Sequence, residues 1–217
     1  TFLPRLFPVN CYFVEEEKEL TLVDTAFSFH AQGILDAAAQ IGKPISRIVI
    51  THAHVDHIGS LDKLKQAIPD AVVYMSNRDA RLLEGNLSKD PHEPISRIRF
   101  APKPISTKPD VLLTEGDRIG SLLAISTPGH TPGSMSFLDT RNHYAIVGDA
   151  FQTLGGFAIS GQLRSWFPFP ALGTWNKKIA IESACKLRAY NPALIAVGHG
   201  HMFEKPLRLL DRAIQKS

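Results

Sequence analysis

Between Thr51 and Gly59 the chain reads THAHVDHIG, which places three histidines and an aspartate within six consecutive positions. The stretch follows directly on the apolar run RIVI (47–50), which has the length and β-branched character of a short buried strand. In extended chain, alternate side chains point the same way. His52 and His54 can therefore present imidazoles to one point. Asp56 and His57 follow as the chain turns, and can face a second point nearby. With nine histidines in 217 residues, a chance H-x-H-x-D-H is on the order of one in a thousand for such a chain. Capping or surface histidines are therefore a weak explanation. Imidazole nitrogens with a carboxylate at this spacing are the donor set of a zinc or related metal site. Gly59 allows close backbone packing where the next helix starts.

The rest of the chain is read around this motif. CYFV (11–14) and LTLVD (20–24) form a hairpin, with Glu15–Glu19 in its turn. Residues 30–41 carry helical spacing in Ile34, Leu35, Ala38 and Ile41. A helix over 59–68, a strand AVVYM (71–75) and a short helix over 76–85 follow. Gly85 to Pro109 is rich in Pro, Ser and Lys, has no clear period and reads as a surface excursion. Strands resume at 111–114, 118–120, 122–127, 134–139 and 144–149. After a glycine- and aromatic-rich stretch come a helix over 174–189, a strand at 194–198 and a closing helix over 204–216. This order predicts a layered α/β domain with two sheets and outer helices, spanning 1–217 without a dividing linker.

Three later residues share the placement of the first motif. His130 lies in STPGHTPGS between two strands, Asp149 ends YAIVGD, and His199 follows LIAVG. Each stands just past a buried strand, where polar side chains can gather at one sheet edge. Singly, each is a turn or strand-end residue; with the first motif they are better read as ligands.

The order H-x-H-x-D-H, then His, Asp and His, resembles the metallo-β-lactamase superfamily over nearly the whole chain, from LVDTA (22–26) to VGHG (197–200). The resemblance implies an αββα four-layer sandwich, with two mixed sheets, outer helices and a dinuclear centre at one edge. It further implies that His52, His54 and His130 hold one metal, that Asp56, His57 and His199 hold the other, and that Asp149 bridges them. Two zinc ions are expected, with iron or manganese as alternatives. In such a site hydroxide is available at neutral pH and attacks the carbonyl of an ester, thioester or lactone, with Asp56 as the catalytic residue that orients it. Asp24 is expected either behind the ligands or bonded to nearby backbone.

Departures from named subfamilies narrow the substrate. Glyoxalase II-like thioesterases carry Gly-Cys-Gly-Arg after the bridging Asp, where this chain has GDAFQTLGG. The lactonases that open acyl homoserine lactones carry a Tyr three residues after that Asp; Gln152 stands there. The aromatics of 151–175, with Phe27 and Phe29, either wall an apolar pocket or pack the loop onto the core. Arg164 is a candidate for a substrate carboxylate, and His201 for a proton donor. A small, apolar ester, lactone or thioester is the expected substrate, including an acyl homoserine lactone-like one. The alternatives are a phosphodiesterase or nuclease, a mono-iron sulfur dioxygenase, and β-lactam hydrolysis.

Composition excludes other classes. A net charge of +3 comes from scattered Lys and Arg without a run, so nucleic acid is not favoured as a partner. The longest unbroken apolar runs, Ala71–Met75 and Ala193–Val197, are far short of the roughly 20 residues of a membrane span. Two cysteines are too few for a disulfide framework. TFLPRLFPVN lacks a basic start followed by an apolar stretch, so a cytoplasmic location is expected.

Overall fold

The computed structural model describes residues 1–2, 7–102 and 104–217. Lys103, and residues 3–6 of the segment read for a leader, lie outside the described residues. Strands β1 (Tyr12–Glu15) and β2 (Leu20–Val23) form the expected hairpin and lead to helix α1 (Ala31–Ile41). Strand β3 (Ile45–Val49), helices α2 (Val55–Ile58) and α3 (Leu61–Ala67), strand β4 (Val72–Ser76) and helix α4 (Asn77–Leu83) follow. The second half holds β5 (Val111–Leu113), β6 (Arg118–Ile119), β7 (Leu122–Ser126), β8 (Met135–Asp139) and β9 (Tyr144–Gly148). It closes with β10 (Phe151–Gln152), β11 (Ala158–Ile159), α5 (Phe169–Gly173), α6 (Lys177–Ala189), β12 (Leu194–Val197), β13 (Phe203–Glu204) and α7 (Leu207–Gln215). The short elements α2, β10, β11, β13 and α5 were not expected, because two to five residues carry no readable period; Gly59 ends α2 instead of opening the next helix.

Two sheets face each other, one in the order β1-β2-β3-β4-β5 and one in the order β13-β12-β9-β8-β7-β6. Both are mixed: β2, β3, β4 and β5 pair in parallel beside the β1–β2 hairpin, and β9 and β12 pair in parallel within an otherwise antiparallel sheet. The strands explain the layering. In β12, Leu194 and Ala196 face the core between the sheets, while Ile195 and Val197 face the core under α6 and α7. In β9, Ile146 turns to the first core and Ala145 and Val147 to the second. Strands buried on both faces read as continuous apolar runs rather than alternating ones, which is how LIAV and YAIV stand in the sequence. A third core packs Leu20, Leu22, Ile48 and Val73 of the first sheet against Ile34 of α1, Leu61 and Leu64 of α3 and Leu82 of α4. The result is the αββα arrangement. No helix among the described residues is long and apolar enough to cross a membrane.

The topology brings the ends of β3, β7, β9 and β12 to one edge. β9 and β12 run in parallel, with Val197 opposite Gly148, so the residues just beyond them are neighbours. β8 starts where β7 ends, with Ser126 opposite Met135. The sheets are joined at this edge by the Met135 N–H, which donates to the Thr51 carbonyl at 2.8 Å.

Candidate metal centre

All seven sequence-predicted ligands meet at this edge. His52 and His54 follow β3, with His54 at the start of α2, and Asp56 and His57 lie in the first turn of that helix. His130 sits in the β7–β8 turn, which is fastened to the start of α6: Trp175 N–H donates to the His130 carbonyl and Asn176 N–H to the Gly129 carbonyl, both at 2.9 Å. Asp149 follows β9 and His199 follows β12. Two glycines make the approach possible. Gly148 has φ +49°, and a Cβ there would meet Thr51 Oγ1 at 2.6 Å. At Gly198 a Cβ would run into the Asp149 carboxylate and lie 2.7 Å from His57 Cε1.

The side-chain donor atoms form three overlapping groups, each within 4.8 Å: His52, His54 and His130; His52, His57 and Asp149; and Asp56, His57 and His199. Asp149 stands between the sets, with Oδ2 3.4 Å from His130 Nε2 and 3.2 Å from His199 Nε2, and Oδ1 3.4 Å from His57 Nε2. Asp56 Oδ2 lies 3.2 Å from His199 Nε2.

Hydrogen bonding fixes which nitrogen of each ring faces inward. His54 Nε2 lies 3.0 Å from the Arg99 carbonyl and His199 Nδ1 lies 2.7 Å from the Pro8 carbonyl. A carbonyl only accepts, so both nitrogens carry a proton. His57 Nδ1 donates to Asp24 Oδ2 at 2.7 Å. Thr51 Oγ1 gives its proton to Asp24 Oδ2 and so accepts from His52 Nδ1 at 3.0 Å. Thr174 Oγ1 gives its proton to the Pro170 carbonyl and so accepts from His130 Nδ1 at 3.3 Å. The inward nitrogens of the neutral rings are then lone pairs. His54 Nδ1 and His130 Nε2 face each other at 2.9 Å with no proton to share. His52 Nε2, His57 Nε2 and Asp149 Oδ1 are buried without any hydrogen-bond partner. Buried polar atoms are rarely left unpaired, and lone pairs converging on lone pairs and carboxylates fit a cation. The residues present therefore suit a dinuclear centre, with the outward bonds that keep metal-binding imidazoles in place.

Charge divides the two halves of the site in the metal-free chain. Burial holds His52 well below its usual value, lowers His54, and pushes His130 down to about 3. Burial also opposes charge on His57 and His199, but nearby carboxylates outweigh it. Asp24, Asp149 and Asp56 hold His57 well above its usual value, and Asp149 and Asp56 hold His199 up at about 10. In return, and against the cost of burial, His57 and His199 hold the Asp56 carboxyl down at about 2 and Asp149 well below the ordinary carboxylate range.

The cluster opens into a cavity of about 180 Å³. Its apolar walls are Phe7, Phe27, Val55, Phe100, Phe169 and Pro170. The aromatic stretch 151–175 thus splits between its two expected roles, except for Trp166, which is exposed and fills neither. Phe169 lines the cavity and Phe167 packs against His199 at 5.2 Å, whereas Phe151, Phe157 and Trp175 belong to the cores. Phe27 lines the cavity, but Phe29 is exposed. Arg164 donates to the Phe157 carbonyl at 2.7 Å, and neither it nor His201 lines the cavity. Asp24 fills both roles read for it, accepting from the Thr51 N–H through Oδ1 as well as from His57.

Sequence reasoning missed Asp79. Its carboxylate is fully buried, and Oδ2 accepts from the Ala53 N–H at 2.9 Å and the Thr131 hydroxyl at 2.7 Å, while Oδ1 accepts from the Gly133 N–H at 2.7 Å. One side chain thereby fixes the loop between His52 and His54 and the loop after His130. The only local signal was an Asp three residues after Ser76, whose hydroxyl caps α4. Phe7, Phe100 and Val55 were also missed, since distant segments bring them together.

Comparison with known proteins agrees with this geometry. The family model described as the metallo-beta-lactamase superfamily matches residues 4–199. The Bacillus subtilis (strain 168) protein YobT is 56% identical, over 100% of this chain and 94% of its own. The probable metallo-hydrolase YflN of the same organism is 27% identical over 88% of this chain and 80% of its own. Among solved structures, TTHA1623 in a di-iron-bound form is 26% identical, with a TM-score of 0.69 over 94% of this chain and 93% of that one.

Proposed function

The chain belongs to the metallo-beta-lactamase superfamily, and from that premise we propose that it is a dinuclear metal-dependent hydrolase of a small, largely apolar ester, lactone or thioester. An acyl homoserine lactone-like compound is within this class. The observation that carries the reading is the composition of the cavity: five of the seven candidate ligands, His54, Asp56, His130, Asp149 and His199, form its floor and six apolar side chains its walls, and among the described residues no Lys or Arg lines it. Such a cavity takes an uncharged acyl group more readily than a phosphodiester backbone.

His52, His54 and His130 would hold one ion, Asp56, His57 and His199 the other, and Asp149 would contact both. Metal ions held there supply a polarised carbonyl and a water activated at neutral pH. The chain's own residues do the rest. Phe7, Phe27, Phe100 and Phe169 bind the acyl portion and keep bulk water out. Asp56 is the least buried of the seven and lines the cavity. As a carboxylate at neutral pH it accepts a hydrogen bond from the reacting water and orients it. The outward bonds from Asp24, Thr51, Thr174 and the Arg99 and Pro8 carbonyls keep all five imidazoles aimed during turnover. Five imidazoles and two carboxylates suit zinc; iron is the second assignment, favoured by the di-iron form of TTHA1623.

The test is elemental analysis of protein purified without added metal, with the same sample assayed on lactones, thioesters, aryl esters, phosphodiesters and a cephalosporin. About two metal ions per chain, with carbonyl hydrolysis abolished by His52→Ala, is the expected result. One iron per chain, or turnover of phosphodiesters alone, overturns it.

A further inference from the structure

The cavity over the metal cluster is too small for a whole substrate of ordinary size. Sites that enclose a drug-sized ligand run from roughly 300 to 1,000 Å³, against about 180 Å³ here. Whatever reacts there must extend outward, and Phe100 marks where it goes. This residue lines the metal cavity and also a second, larger groove of about 910 Å³.

The groove lies in the segment between α4 and β5. That segment is fastened to the fold at defined points. Arg78 pairs with Glu93 at 2.6 Å and Arg81 with Asp90 at 2.8 Å, Ile98 is buried in the core under the first sheet, and the Ser96 carbonyl accepts from Trp175 Nε1 at 3.3 Å. The Arg99 carbonyl receives His54 Nε2, so the groove and a metal-binding imidazole are joined by one hydrogen bond. Phe100 is held at φ +50°, a left-handed conformation that is uncommon for a bulky residue and collects at functional sites.

The chemistry of the groove is specific. Among the described residues three cations line it, Lys89, Arg97 and Arg99, and no carboxylate does. The segment's own acids are taken up elsewhere, Asp90 and Glu93 by Arg78 and Arg81, Glu84 by Lys108 and Asp110 by Lys65, and among the described residues none of the three groove cations has an ion-pair partner. Between them stand exposed apolar side chains: Ile95 is 98% exposed, Phe100 58% and Leu87 48%. Apolar exposure gathered in one groove marks a binding surface, and unpaired cations beside it select an anion.

We infer that this groove is a subsite for an anionic group carried on an apolar stem, the part of the substrate that lies beyond Phe100 when its carbonyl is over the metal cluster. The substrate is then an amphiphilic acyl compound with a carboxylate or phosphate away from the reacting carbonyl. This rests on the hydrolase reading above and adds to it the class of molecule.

The test compares two aryl esters of equal chain length, 4-nitrophenyl octanoate and the mono-4-nitrophenyl ester of octanedioic acid, in the parent protein and in the double variant Lys89→Gln, Arg97→Gln. The parent is expected to prefer the anionic ester by roughly tenfold in kcat/KM, mostly through KM and less so at high salt. In the variant that preference is lost while the neutral ester is hydrolysed as before. Calorimetry with octyl phosphate and octanoate, which needs no turnover, is expected to show binding in the parent and its loss in the variant, and to tell which anion is preferred. If the esters are hydrolysed with no anionic preference and the variant changes nothing, the groove assignment falls and the hydrolase reading stands. If neither ester reacts, nor any lactone or thioester of the panel above, but anion binding disappears in the variant, the groove stands as an anion site and the hydrolase reading falls.

Discussion

Asp24 Oδ2 accepts the Nδ1 proton of His57 at 2.7 Å while the same carboxylate receives the Thr51 N–H and hydroxyl at 2.8 Å. Through Thr51 it also reaches His52, so one carboxylate behind the cluster aims an imidazole in each candidate metal set. Asp24 sits at φ +62°, a backbone that Asn also tolerates. Asp24→Asn should therefore fold but lower metal affinity by roughly 10–100-fold. Competition against a chelator measures it, and unchanged affinity would remove Asp24 from any role in aiming the ligands.

Asp79 acts on the loops rather than the rings. Asp79→Ala leaves the Ala53 and Gly133 N–H groups without their acceptor in a buried site, and the Thr131 hydroxyl with Ser134 Oγ alone. Each orphaned donor costs about 1–3 kcal/mol. The metal-free variant should show a large drop in urea midpoint, and in the loaded variant the His52, His54 and His130 set should release metal first. Asp79→Asn keeps an acceptor oxygen and should recover part of both. A midpoint equal to the parent's would mean the loops hold themselves.

The raised His57 and His199 give the metal-free chain a pH signature. Their folded values lie above the ordinary histidine value near 6.5, with His199 at about 10. A group of this kind contributes stability that is complete below its unfolded value and is lost as pH rises through its folded value. The Tm of the metal-free protein should thus fall between pH 7 and about 10. In loaded protein a metal replaces those protons, and the decline should be absent. A metal-free profile flat over this range would show that neither ring is protonated.

Much of the fold and the gathering of the seven candidate ligands at one edge were legible because both rest on strong local signals. LIAVG and YAIVGD are apolar enough to be strands buried on both faces, and ligands at their ends follow from parallel pairing of β9 and β12. THAHVDHIG is dense enough to stand alone. What was not legible depends on distant segments meeting. Phe7 precedes the first strand and Phe100 lies in a stretch without period, yet both wall the same cavity. Asp79 looks like any helix residue until the two ligand loops are folded around it. Arg164 looked like an anion site, but its guanidinium serves the Phe157 carbonyl in its own loop. Where the aromatics of 151–175 point was open in the sequence, since nothing local separates Phe169, in the cavity, from Phe151, in the core.

Gln152 stands three residues after Asp149 and is 1% exposed, and neither its Nε2 nor its Oε1 has a hydrogen-bond partner. It sits in β10 opposite Ala158, next to Thr153, whose N–H donates to the His199 carbonyl. A buried amide with both ends unpaired costs about 1–3 kcal/mol, and leucine has a similar volume without the polar atoms. Gln152→Leu should raise the Tm by at least about 2 °C and leave the metal content unchanged. A carbonyl-hydrolysis assay on the same variant separates two roles. Higher Tm with full activity makes Gln152 a structural liability. Higher Tm with a raised KM makes the amide a positioning group behind the cavity wall, retained against its cost to stability. A lowered Tm would show that the amide is already satisfied in solution and that its burial carries no penalty.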